Sequence, residues 1–126
     1  MREDESDSLI QRFEDQIRLN QSGFFDVDEL EEIADYYLET GQLQRALLAI
    51  DLGGDLHPYA TTFAVKRARY LVASHQLDLA KEAIQHAEEL APNHPDLEWV
   101  RGQWLMRLGK NNEAIQALRK ALQTAE

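Results

Sequence analysis

The sequence predicts an all-α protein, three helix–turn–helix units in tandem behind a short helix that caps the first. Three observations carry this expectation. Apolar residues recur at helical spacing, as in Leu30, Ile33 and Tyr37 and again in Leu43, Leu47 and Ile50. No segment alternates apolar and polar residues as a strand does. Small residues and turn residues return every 34 positions.

At a shift of 34, Gly41 falls on His75 and Gly109, Ala46 on Ala80 and Ala114, and Ile50 on Ile84 and Leu118. Gly53 falls on Ala87 and Ala121, and Pro58 on Pro92. Small residues at Ala34, Ala68 and Gly102 let a facing helix approach closely. Gly41 and Gly109 suit the left-handed conformation that ends a helix before a tight turn. Pro58 and Pro92 stop the second helix of a unit, and Asp96 stands where it can cap or charge a helix start. Helices are expected at about 27–40, 42–53, 60–74, 77–90, 96–108 and 111–123.

Ahead of them, Leu9, Phe13 and Ile17 recur every four residues and predict a short amphipathic helix over Leu9–Asn20. It is expected to cover the apolar side of helix 27–40, with Gln21-Ser22-Gly23 as its turn and Phe24 and Phe25 wedged between cap and repeat. The expected organisation is a disordered acidic start (1–8), a cap and connector (9–26), and units at 27–60, 61–94 and 95–126.

These marks resemble the tetratricopeptide repeat. That family's pattern is met in the first unit by Leu30, Ile33-Ala34, Tyr37, Ala46, Ile50, Gly53 and Pro58. The second unit reads Ala64, Arg67-Ala68, Leu71, Ala80, Ile84, Ala87 and Pro92, and the third Glu98, Arg101-Gly102, Leu105, Ala114, Leu118 and Ala121. Both depart at the first places, where Ala64 and Glu98 replace a large residue and Arg67 and Arg101 an apolar one. Those arginines are expected to lay their stems on the core and send the charge outward. The resemblance covers residues 27–126 and implies a right-handed solenoid that binds other proteins. Phe24 to Gly41 also resembles the acidic opening of some long bacterial proteins of this family.

Composition excludes several functions. The chain of 126 residues has no cysteine, so disulfides, thiol nucleophiles and thiolate metal sites are absent. Its start, MREDESDS, is acidic rather than a secretory signal, and a cytoplasmic location is expected. The net charge is −10, and it is uneven: residues 1–60 hold 15 acidic against 4 basic residues, residues 61–126 hold 8 against 9. Nucleic acid and anionic membranes are therefore not expected as partners. The acidic half is a solubilising surface or an attraction for a basic segment.

Nothing in the sequence assembles a catalytic or metal site, and neither an enzymatic role nor a cofactor is expected. His57, His75, His86 and His94 never pair at one-turn spacing, and all read as surface residues. Gly53-Gly54 has no following lysine to cradle phosphate, and the acidic run Asp26 to Glu32 lacks the mid-loop glycine of a calcium site.

Family register places a partner-binding concave groove on the first helix of each unit. Its residues are Asp28, Glu31, Asp35 and Glu39, then Val65, Lys66, Arg69 and Val72, then Trp99, Gln103 and Met106, grading from acidic through basic to apolar. Tyr36, Tyr70 and Trp104 share another register and are assigned to packing between units. Trp99 with Met106 forms a candidate anchor pocket, or else packs onto a further helix. The basic and asparagine clamp by which some family members hold chaperone tails is missing, so a peptide with basic and apolar residues fits better.

The expected function is a protein–protein interaction scaffold, forming the N-terminal part of a larger protein. The alternatives are a small chaperone for an exported or aggregation-prone client, and self-association through the open helix 111–123. The last unit ends at Glu126, where the closing proline would come, without a capping helix.

Overall fold

The computed structural model describes residues 3–20 and 23–125, with side chains for residues 7–20 and 23–123. Among them are seven helices and no strand: α1 (Glu3–Leu19), α2 (Val27–Glu39), α3 (Leu43–Leu56), α4 (Thr62–Ala73), α5 (Leu77–Leu90), α6 (Leu97–Arg107) and α7 (Asn111–Ala125). They form two compact units, residues 1–60 and residues 61–126. The helical-repeat fold class expected from the sequence is the observed one.

The same turn closes each helix pair. After α2, Gln42 N–H donates to Tyr37 O (2.9 Å) and Gly41 N–H to Leu38 O. After α4, Gln76 donates to Leu71 O (2.9 Å) and His75 to Val72 O, and after α6 Lys110 donates to Leu105 O (2.9 Å) and Gly109 to Met106 O. These bonds satisfy carbonyls that the helix end leaves open, and they require a left-handed residue in the middle. That residue is Gly41 (φ 75°), His75 (φ 61°) and Gly109 (φ 81°). The spacing read from the sequence is therefore a spacing of turns.

In the first unit α2 packs on α3 and α1 on α2. Phe13 of α1 meets Phe25 edge-on at 5.7 Å and Tyr37 at 6.0 Å, so this helix covers α2 as expected. It begins six residues earlier than expected, however. Residues 3–8, expected to be disordered, are helical. Residues 1 and 2 lie outside the described residues, as do Gln21 and Ser22 of the expected turn.

The entry to α2 is held by a capping box. The Asp26 carboxylate accepts from Glu29 N–H (2.8 Å) and the Glu29 carboxylate from Asp26 N–H (3.0 Å). Arg12 pairs with Glu29 (2.8 Å) while its guanidinium lies 4.5 Å from the centre of the Phe25 ring. Phe25 is fully buried, as the wedge reading requires. Phe24 is 68% exposed and does not wedge. Neighbours on extended chain point to opposite sides, and Phe24 meets the His57 ring edge-on instead.

In the second unit α4 packs on α5, α6 on α7, and α6 also lies on both α4 and α5. One core joins Ala68 and Val72 of α4, Ala80 and Ile84 of α5, and Val100 of α6, with Trp104 against it. Another joins Val65, Ala87 and Leu97. The Trp104 indole donates to Leu77 O at 2.9 Å, which fulfils its expected packing role. Arg101 is half-buried between Glu88 of α5 and Glu98 of α6, and Glu98 reaches Lys120 of α7 at 3.5 Å. The chain of charges links three helices. Arg67 is exposed. Asp96 precedes α6 but makes no side-chain cap bond.

Candidate interaction surface

The residues expected in a groove divide between the two units and differ in what they present. On α2, Asp28 is exposed and Glu31 and Asp35 are half-buried, each one or two turns along the same helix. On α4, Arg69 is half-buried, but Lys66 is only 3% exposed. Its ammonium lies 3.8 Å from the Asp96 carboxylate at the start of α6. Lys66 is thus enclosed by the fold and is not presented to a partner, because α6 crosses over the face of α4 that carries it. Val65 and Val72 are corrected for the same reason: both are core contacts under α6.

Trp99, Gln103 and Met106 come together as expected. Their spacing puts them on one face of α6, where they line an open hollow of about 440 Å³ with Arg107 and with Leu118 of α7. Trp99 is 44% and Met106 54% exposed, so a large ring and a flexible thioether stand in solvent beside a partly buried leucine. Single exposed apolar residues are ordinary, but a ring, a thioether and a leucine around one hollow are a surface able to receive an apolar group. Close approach of α6 and α7 shapes its floor. A Cβ on Gly102 would come within 2.6 Å of Leu118 Cδ2, so glycine lets Leu118 lie flat against α6.

Sequence reasoning missed Arg107 and Leu118. The signal for Leu118 was present, since the 34-residue shift aligns it with Ile84. It also misread two histidines as surface residues. His57 Nε2–H donates to Phe25 O at 2.6 Å, fixing the segment before α2. His94 Nδ1 accepts from Asp96 N–H (3.1 Å), which leaves the proton of the neutral ring on Nε2, 3.2 Å from Thr62 Oγ1. Both are half-buried turn fastenings, whereas His75 and His86 are exposed.

Among the described residues no group of three or more His, Cys, Asp or Glu side chains could hold a metal ion. No described helix is long and apolar enough to cross a membrane.

Residues 99–126 match the family model of the tetratricopeptide repeat. Over 61 residues, 48% of the chain, the sequence is 36% identical to cellulose synthase operon protein C of Komagataeibacter xylinus. It is 33% identical over a stretch of the same length to the protein of that name from Komagataeibacter sucrofermentans. The matched stretch is 5% of the length of each of these relatives. No solved structure matches the chain.

Proposed function

We propose that the chain, whose residues 99–126 match the tetratricopeptide repeat, is a protein-interaction module of that family which holds a partner polypeptide against the exposed side of α6. The observation that carries the reading is the hollow of Trp99, Gln103 and Met106, closed on its far side by Leu118. An aromatic anchor in a concave apolar setting is where binding energy concentrates in protein interfaces. The family generally serves as a protein–protein interaction module. No catalytic role is assigned to it.

The acidic side of α2, with Asp28, Glu31 and Asp35, is a second contact in this proposal, for a basic segment of a partner. Arg69 on α4 is a contact for a carboxylate, and Lys66 is no longer one. Residues 1–60 carry a net −11, which speeds encounter with a basic partner at low salt.

A displayed random-peptide library panned against the chain tests the proposal. Enriched peptides should carry an aromatic or aliphatic anchor and lose at least tenfold in affinity to Trp99→Ala, while far-UV circular dichroism of the variant stays that of the wild type. Peptides that bind both proteins equally would overturn the assignment to α6.

A second reading rests on the likeness to the cellulose synthase operon proteins, and concerns where the module works. In it the partner is a component of a polysaccharide-producing assembly. Co-purification with the synthase subunits of a cellulose-producing bacterium, lost on Trp99→Ala, would support it; recovery of none of them would end it.

A further inference from the structure

Leu48 and Leu52 stand one turn apart on α3, and the 34-residue shift carries them onto Glu82 and His86 of α5 and onto Gln116 and Lys120 of α7. All four of those counterparts are exposed. The repeat therefore requires no apolar side chain at these places, and polar residues serve there twice. Leu48 is nevertheless 48% exposed on α3, and Ile17 of α1 is 42% exposed. With Leu52 they surround an apolar hollow of about 320 Å³, floored by the buried rings of Phe13 and Phe25. A Cβ on Gly23 would collide with the Gln16 carboxamide, so glycine there leaves room for a polar group in the lining. α1 rests on α2 and reaches α3 through the ion pair of Glu14 with Arg45, so the two helices wall the hollow without closing it.

We propose that this hollow between α1 and α3 docks a basic polypeptide segment of a partner, two aliphatic side chains of which fill it. Charge selects the occupant. Each described basic side chain of the first unit already faces an acid: Arg12 with Glu29 (2.8 Å), Arg18 with Asp15 (3.2 Å) and Arg45 with Glu14 (2.9 Å). Residues 1–60 hold 15 acidic residues against 4 basic ones, and the stretch 46–60 on the α3 side has two aspartates and no lysine or arginine. Of these, Asp55 is exposed and lies two turns from Leu48 on the same face. An acidic segment is repelled here, and so is a second copy of this unit with the same surplus. Lysines or arginines flanking an apolar pair meet opposite charge around the hollow. The pair stands about 6 Å apart, the rise of one turn between Leu48 and Leu52. No step of this rests on the hollow at α6, which belongs to the second unit.

Displayed random peptides are panned against the full chain carrying Trp99→Ala, which takes the hollow at α6 out of the selection. The enriched peptides are expected to carry net positive charge and an aliphatic pair. Their affinity should fall at least tenfold in Leu48→Gln, which gives α3 the exposed residue that α7 carries at the same place. Serine in place of the peptide's aliphatic pair should cost as much, and both Asp55→Asn and high salt should weaken binding. By NMR, the Leu48 methyl signals, identified by their loss in Leu48→Gln, should shift saturably with a selected peptide. Ile17→Gln, on the opposite wall, repeats the test should Leu48→Gln alter the circular dichroism spectrum. No enrichment, enriched peptides without positive charge, or binding indifferent to Leu48→Gln and Ile17→Gln would overturn the proposal. So would a doubling of mass on sedimentation of the chain alone that Leu48→Gln abolishes, since the occupant is then a second copy. Peptides selected on the unsubstituted chain that depend on Trp99 would sustain the reading at α6 whichever way this test falls.

Discussion

The Tyr37 hydroxyl donates to the Glu14 carboxylate across 2.7 Å, and the same carboxylate accepts from Arg45 at 2.9 Å. One acid on α1 thereby joins α2 and α3, and it does so above a buried ring. Tyr37→Phe keeps the ring and the Glu14–Arg45 pair and removes only the hydrogen bond to a charged acceptor. A loss of about 1.5–3 kcal/mol is expected, from the usual worth of such a bond. Urea unfolding at neutral pH measures it, and an unchanged midpoint would mean that water replaces the hydroxyl at no cost.

The same contact gives the protein an alkaline limb. Burial first, and then the hydrogen bond and charge of Glu14, raise the Tyr37 pKa well above its ordinary value of 10.0. A group whose pKa is raised on folding contributes stability that is complete below the unfolded value and lost as pH rises beyond it. Melting temperature should therefore fall more steeply above about pH 10 in the wild type than in Tyr37→Phe. Parallel curves for the two proteins would remove Tyr37 as the cause.

Lys66 is enclosed, with the Asp96 carboxylate 3.8 Å from its ammonium. Burying an ammonium is costly unless opposite charge and hydrogen bonds accompany it, and Asp96 itself is half-exposed, which screens the pair. Asp96→Ala is expected to cost about 1 kcal/mol, because the ammonium stays buried after losing that charge. Lys66→Met, which keeps the stem and deletes the charge, should change stability by less than about 1 kcal/mol. Chemical denaturation of both variants and their double mutant checks this; the reverse order would show that Asp96 matters for the helix start and not for Lys66.

The features legible in the sequence were those a local physical demand fixes. Gly41 and Gly109 mark turns because the backbone there is left-handed, and Leu30, Ile33 and Tyr37 mark a buried face because of helical period. Trp99, Gln103 and Met106 were brought together by spacing on one helix. What could not be read depended on other elements. Lys66 is enclosed because α6, thirty positions away, delivers Asp96 to it. Of two adjacent phenylalanines, Phe25 rather than Phe24 is buried because α1 happens to meet that side of an extended segment. His57 and His94 fasten turns whose geometry no periodicity encodes.

His75 occupies the left-handed place that glycine takes in the other two hairpins. A side chain pays steric energy there of about 1 kcal/mol, partly offset because glycine is freer in the unfolded chain. His75→Gly is therefore expected to stabilise by about 0.5 kcal/mol, and Gly41→Ala to destabilise by about 1 kcal/mol although nothing lies within 4 Å of the added methyl. A fall in thermal midpoint for His75→Gly would mean that the imidazole makes a contact that outweighs the strain.

Val72 and Met106 occupy the same place in successive hairpins, one under α6 and one in solvent. Truncation should separate them. Val72→Ala removes buried methyl groups from the joint core of α4, α5 and α6 and leaves a cavity, at a cost of about 2 kcal/mol. Met106→Ala removes a larger side chain that is already half in water, and alanine is the better helix former, so a change within about 0.5 kcal/mol is expected. Urea unfolding of the isolated chain measures both. When a ligand occupies the hollow the ranking should tighten, because Met106→Ala then loses the added stability that binding confers on the wild type. Equal losses in the isolated chain would show that Met106 is already covered in solution, and the hollow would then be no free surface.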